Sequence, residues 1–132
     1  MAWEISLHEE VERWYLTLCR DEPATADLIA DAIEQMASVG PALGRPLVDR
    51  IHASRHHNMK ELRPPSAGTS EVRLLFAFDP RREAIVLVAG DKSGRWDTWY
   101  RHAVPIADQR FDEHLKALQE NPGTGRGEKE ER

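Results

Sequence analysis

The chain has 132 residues, a formal net charge of −5, 40% apolar and 31% charged side chains, a composition that suits one soluble domain with one core. No run approaches the roughly 18 consecutive apolar residues of a membrane span, and Met1-Ala2-Trp3-Glu4 lacks the basic and apolar regions of a secretion signal, so a cytoplasmic location with no membrane partner is expected. A single cysteine, Cys19, rules out an internal disulfide and agrees with a reducing compartment.

Trp3-Glu4-Ile5 reads as a short first strand. Ser6 with Glu9 three residues later has the form of a capping box, and Leu7, Val11, Trp14, Tyr15 and Leu18 recur at helical spacing, so a first helix is expected over residues 6–20. Glu22-Pro23 breaks it. A second helix follows over residues 24–39, with Leu28, Ile29, Ala32, Ile33 and Met36 on one face and Gly40-Pro41 as its stop. The two form a helical hairpin that covers one side of a sheet.

Residues 43–58 connect to that sheet. Met59 to Arg63 alternates like a strand, and Pro64-Pro65-Ser66-Ala67-Gly68-Thr69-Ser70 returns the chain to a long apolar hairpin, residues 72–79 and 83–92, turned by Asp79-Pro80-Arg81-Arg82. Residues 95–100 open either a helix or an irregular loop. Pro105 is placed to start a last helix reaching about Gln119, Asn121-Pro122-Gly123 ends it, and the polar tail 122–132 is expected to be disordered, leaving 1–121 as the domain. The order is β-α-α-β-β-β-α, an α+β fold with helices on an antiparallel-dominated sheet.

Charge is unevenly spread. Residues 1–40 hold 2 basic and 9 acidic side chains, whereas residues 41–102 hold 11 basic and 7 acidic, with His52, His56, His57 and His102 in addition. An acidic helical half beside a basic sheet half permits an RNA-facing sheet, although so mixed a field steers weakly over distance.

The hairpin sharpens this. A turn centred near Arg81 sets Arg73 opposite roughly residue 90, and Lys92 then shares that face because side chains alternate. Arg63 enters the same sheet end from the preceding strand. Three cations converging at one end call for an anion, most often phosphate, held by guanidinium forks and a point-charge ammonium. The plain reading is solvated strand-end charge, with Glu61, Glu71 and Asp91 near enough in sequence to neutralise it.

Lys60-Glu61-Leu62-Arg63, then Glu71-Val72-Arg73-Leu74-Leu75-Phe76-Ala77-Phe78, then Val86-Leu87-Val88-Ala89-Gly90-Asp91-Lys92-Ser93, in that order and spacing, resemble the RelE/ParE superfamily of toxins, and within it the HigB-like, phage-related branch. The resemblance runs over roughly residues 3–118. It implies a RelE-like fold and the toxin of a type II toxin–antitoxin pair, an endonuclease that cuts messenger RNA on the ribosome without metal or cofactor. Its implied partners are a cognate antitoxin, often of helix-turn-helix type, the ribosome and messenger RNA. Position by position, Arg73 matches the strand arginine that holds the phosphate, Arg63 the arginine closing the "K-E-L-R" strand, and Lys92 a lysine of the strand-end pair. Lys60, with Arg55 and His57, is expected to contact RNA.

For proton transfer, His56, His57, His102, His114 and Tyr100 are the available groups, and His114, on the apolar side of the last helix, is the expected catalytic one. The triplet His52, His56 and His57 lacks acidic or thiolate partners at ligand spacing, so no metal site is expected. Trp96, Trp99 and Tyr100 either stack bases or pack the last helix onto the sheet. Asp91 and Glu71 depart from the family pattern, and Asp91 is placed to pair with Arg73 or Arg63. Two further functions fit the same fold: an inactive module that only binds an antitoxin for operon control, and a ParE-like gyrase poison.

Overall fold

The computed structural model describes residues 2–120; the expected tail, 122–132, lies outside them. Its elements are β1 (Glu4–Leu7), α1 (Glu9–Asp21), α2 (Pro23–Val39), a 3-10 turn (Gly40–Ala42), β2 (Val48–Arg50), β3 (Lys60–Leu62), β4 (Val72–Phe78), β5 (Glu83–Asp91) and α3 (Trp96–Glu120). The sheet order is β1-β5-β4-β3-β2. The three inner pairings are antiparallel and β1 runs parallel to β5, so the sheet is mixed. The fold is α+β, three helices on five strands.

Strand alternation sorts the apolar residues to two faces. Leu62, Leu74, Phe76, Ala84 and Val86 meet Val11, Ile29, Ala32 and Met36 of the helical hairpin on one side. Met59, Leu75, Ala77, Ile85 and Leu87 meet Trp99, Ala103, Val104, Ala107 and Phe111 of α3 on the other. Helices therefore cover both faces. No helix among the described residues is long and apolar enough to cross a membrane.

Three local expectations change. Ser6 is not a cap: residues 4–7 pair with residues 83–86 of β5, and the ladder continues as the His8 amide donates to the Val86 carbonyl at 2.9 Å. His8 becomes the N-cap, its Nδ1 accepting from the Glu10 amide at 3.1 Å. The connector contributes a strand, β2, paired with β3; three residues are too few to show a period. Finally, α3 starts at Trp96 and runs through Pro105. Pro105, which has no amide proton to give the Arg101 carbonyl, is exposed, as is Arg101 itself, so the break in the helical ladder lies on the solvent side of α3.

At the end of α2, Gly40 takes φ +77°, and a Cβ there would run into the Trp3 ring; glycine alone satisfies both demands. Trp3 also carries the Arg82 guanidinium over its ring, 4.2 Å from the centroid, which ties the β4–β5 turn to the N-terminal strand.

Candidate functional site

The β4–β5 register shifts by one residue between Leu75 and Phe76: Phe76 pairs with Val86, Leu75 with Val88, and Arg73 with Gly90. Leu87 is the extra residue of a β-bulge, and the bulge reverses side-chain parity. Ile85 and Leu87 face α3 before it, and Val88 does so after it, so Gly90 and Lys92 point to α3 as well. Without the bulge Lys92 would share the face of Val86, on the helical-hairpin side. With it, Lys92 and Arg73 lie on one face at one sheet end.

Gly90 makes that end compact, since a Cβ there would stand 2.7 Å from Trp99 Nε1. Trp99 is buried in the core, whereas Trp96, one turn earlier, is 55% exposed. The Trp-x-x-Trp pair is thus split: Trp99 anchors α3 and the Trp96 ring lies against the Lys92 ammonium.

Around these residues the strands assemble a charged cluster. Arg73 is buried, its Nη1 donating to the Val72 carbonyl at 2.8 Å. Lys92 is fully buried, with the Glu71 carboxylate 4.0 Å away. Arg73 Nε and Lys92 Nζ are both buried without a hydrogen-bond partner among the described residues. Arg63, half-buried beyond β3, reaches Asp49 Oδ2 at 3.5 Å and Glu61 Oε1 at 3.8 Å. Burial, and after it the neighbouring Arg73, lower the Lys92 pKa from 10.5, against the opposing pull of Glu71 and Glu61.

Two further members come from residues that the sequence reading placed only loosely. Glu61 is buried on β3 and accepts from the Tyr100 hydroxyl at 2.6 Å. Burial and then Glu61 push the Tyr100 pKa well above 10.0, so its phenol stays protonated and donating. The alternation of Met59, Glu61 and Arg63 was the available signal for Glu61, and it marks the same face as Arg63. Asp91 does not pair with Arg73 or Arg63: its Oδ1 accepts from the amides of Glu71 and Ser93, both at 2.9 Å. An Asx-type turn claims that carboxylate locally.

The other residues singled out in the sequence lie elsewhere. His114 Nε2 meets Asp79 Oδ2 at 2.7 Å, at the turn end of the hairpin, far along β4 from Arg73. His56 Nε2 meets Asp112 Oδ1 at 2.7 Å, and Arg55 pairs with the other oxygen of the same carboxylate. Ser54 Oγ donates to Asp108 Oδ1 at 2.5 Å, so this loop is fastened to α3. His57 is exposed. Lys60 points to the helical-hairpin face, donating to the Pro41 carbonyl at 3.0 Å. Of the expected set, the fold gathers Arg63, Arg73 and Lys92 and leaves His114, Arg55, His57 and Lys60 apart from them. No group of three or more His, Cys, Asp and Glu able to hold a metal occurs among the described residues.

The fold is an α+β arrangement of RelE type: E. coli toxin RelE, solved free as a double arginine mutant, superposes with a TM-score of 0.58 over 83% of this chain and 98% of that one at 11% identity. Residues 21–112 match the model of the phage-derived, Gp49-like proteins, and the chain belongs to that family. Two Mycobacterium tuberculosis H37Rv proteins, named as toxin candidates HigB2 and HigB3, are its HigB-like relatives. HigB2 is 52% identical over 112 residues, 85% of this chain and 54% of its own length. HigB3 is 51% identical over 111 residues, 84% of this chain and 92% of its own length. The chain therefore spans about half the length of the first relative and nearly all of the second.

Proposed function

We propose that this protein is the toxin of a type II toxin–antitoxin pair and that it cuts messenger RNA on the ribosome. The observation that carries the reading is the pair of buried cationic donors, Arg73 Nε and Lys92 Nζ, that have no hydrogen-bond partner among the described residues. Buried charged donors left unpaired cost free energy, and a phosphate oxygen is an acceptor that repays both at once. HigB-like kinship supplies the context, and an antitoxin is the partner it implies.

The chemistry suited to the cluster is intramolecular transesterification. The ribose 2′-oxygen forms a bond to the adjacent phosphorus as it loses its proton to solvent water, and the bond from phosphorus to the 5′-oxygen breaks as that oxygen gains a proton from the Lys92 ammonium. The products are a 2′,3′-cyclic phosphate and a 5′-hydroxyl. Arg73 and Lys92 stabilise the extra negative charge of the pentacoordinate phosphorane, the preorganised electrostatic role that dominates many active sites. Arg63, held by Glu61 and Asp49, steadies the same phosphate from the solvent side. A lowered pKa makes the Lys92 ammonium the better proton donor to the leaving oxygen. Trp96 covers Lys92, so the indole moves aside when phosphate enters.

The test is induced expression of wild type and Arg73→Ala in a bacterial host, with 5′ ends mapped on translated messages and circular dichroism checking the fold. Codon-phased cuts that vanish in the variant are expected. Cuts that persist remove Arg73 from the mechanism. Intact messages with normal growth refute the nuclease and favour an antitoxin-binding module; arrest without cuts points to another target, such as gyrase.

A further inference from the structure

The β2–β3 ribbon holds a second concentration of positive charge, on the face away from Arg73. Arg50 and Lys60 stand directly opposite each other in the ladder, an arrangement of like charges that destabilises a strand pair. Among the described residues neither has a carboxylate within ion-pair distance. Their polar contacts are carbonyls, Arg50 Nη2 donating to His57 O at 3.3 Å and Lys60 Nζ to Pro41 O at 3.0 Å, and the Lys60 ammonium also lies over the Phe78 ring, 5.7 Å from its centroid. Asp49, the acidic residue that lines a pocket with them, is already shared, with Arg45 Nε at 3.3 Å from Oδ1 and Arg63 Nη1 at 3.5 Å from Oδ2. Arg45, Arg50, Lys60 and Asp49, with Pro41 and Gly44, line this open pocket of about 300 Å³.

We propose that this pocket is a second phosphate site, binding one RNA phosphodiester between Arg50 and Lys60 while the first cluster holds the scissile one. The identity of the ligand as RNA rests on the proposed nuclease. The facing charges and the cavity do not. A phosphate placed there supplies the negative charge that the ribbon lacks, and Arg45 stands at its rim with a guanidinium only partly claimed by Asp49. Asp49 itself sits between the two sites, binding Arg63 of one and Arg45 of the other, so a strand wrapping the ribbon edge would pass from one to the next. Burial, then Arg50, lower the Lys60 pKa from 10.5, in keeping with an ammonium short of counter-charge.

Two RNAs present this chemistry, the message and the ribosomal RNA, and two arms separate them. The full chain, Arg50→Gln, Lys60→Gln and the double variant are titrated into a fluorescein-labelled single-stranded oligouridine at several salt concentrations, and co-sedimented with vacant ribosomes. Each cation lost should lower the slope of log affinity against log salt by about 0.7 for a single strand. A change with oligouridine alone assigns the site to the message; a change with ribosomes alone assigns it to ribosomal RNA. Unchanged binding in both arms overturns the proposal. Arg50 is exposed, so Arg50→Gln keeps the test valid even if Lys60→Gln perturbs the fold. Because binding is read without cleavage, a chain that cuts no message yet shows the slope change loses the nuclease and keeps this site.

Discussion

Replacing Lys92 by methionine should make the protein more stable while removing one cation of the proposed phosphate site. Lys92 is fully buried, with no hydrogen bond to Nζ among the described residues, and an isolated ion taken out of water costs several kcal/mol after relaxation. The offsets are incomplete. A carboxylate at the 4.0 Å of Glu71 attracts by about 4 kcal/mol at an effective dielectric of about 20, but Arg73 repels the same ammonium and Glu71 is itself partly solvated. The Trp96 face returns about 0.5–2 kcal/mol. Methionine fills nearly the same volume without the charge, and exchanges of buried charge for apolar isosteres commonly gain 1–4 kcal/mol. We expect a gain of about 1–3 kcal/mol, or on the order of 3–12 °C in melting temperature for a domain of this size. The pH dependence supplies the signature. With its native pKa lowered, Lys92 sheds its proton in the folded state before the unfolded chain does at 10.5. Wild-type stability should then rise relative to the variant as pH climbs from the lowered value toward 10.5, closing the gap. Urea unfolding of both proteins across that range measures it. A Lys92→Met protein less stable than wild type at neutral pH, or a gap that does not narrow, would refute the claim that this ammonium is uncompensated.

Two other outcomes follow from the same end of the sheet. Gly90→Ala places a methyl 2.7 Å from Trp99 Nε1 and 3.4 Å from its Cε2, and overpacking of this kind costs about 1–3 kcal/mol; denaturant unfolding that shows no loss would mean Trp99 yields freely. Glu61→Gln removes the charge that helps raise the Tyr100 pKa above 10.0. In an absorbance titration of phenolate the Tyr100 midpoint should fall toward 10.0, while Tyr15, raised mainly by its own burial, stays in place. The sign on stability is opposite to that of Lys92: the folded protein holds the Tyr100 proton longer than the unfolded chain, so stability declines as pH rises through 10, and less so in the variant. An unmoved midpoint would sever Glu61 from Tyr100.

The hairpin shows what a sequence can and cannot disclose. Apolar runs on either side of Asp79-Pro80-Arg81-Arg82 suffice to place β4 and β5, because two strongly β-forming segments around turn residues have few alternatives. The bulge at Leu87 is different. Nothing in Val86-Leu87-Val88 marks an extra residue, yet the relative orientation of Arg73 and Lys92 depends on it, and the expected facing of residue 73 with residue 90 is met only because the shift is there. The mixed sheet was hidden for another reason. That β1 pairs with β5 across most of the chain is settled by packing of the helical hairpin, which single-sequence periodicity does not express. Glu61 was visible as a residue but not as a partner, since its hydroxyl donor comes from Tyr100, which lies on α3.

The net charge of −5 does not oppose a phosphate site here, because position outweighs sum. Nine acids of residues 1–40 belong to the N-terminal strand and the helical hairpin, and the hairpin packs on one face of the sheet while Arg73 and Lys92 lie on the other. A sheet and the helix layer on it separate their outer surfaces by more than about 10 Å, the spacing of packed layers, and exposed charges beyond the roughly 8 Å Debye length at physiological ionic strength are largely screened. What those acids do remove is attraction at a distance. On the proposed function, an RNA strand approaching this protein would gain little until it touches, so association should depend on short-range contacts that act together. The two proposed phosphate sites, on opposite faces of the sheet and linked through Asp49, would give a single strand two such contacts at once, the second raising the effective concentration of phosphate at the first.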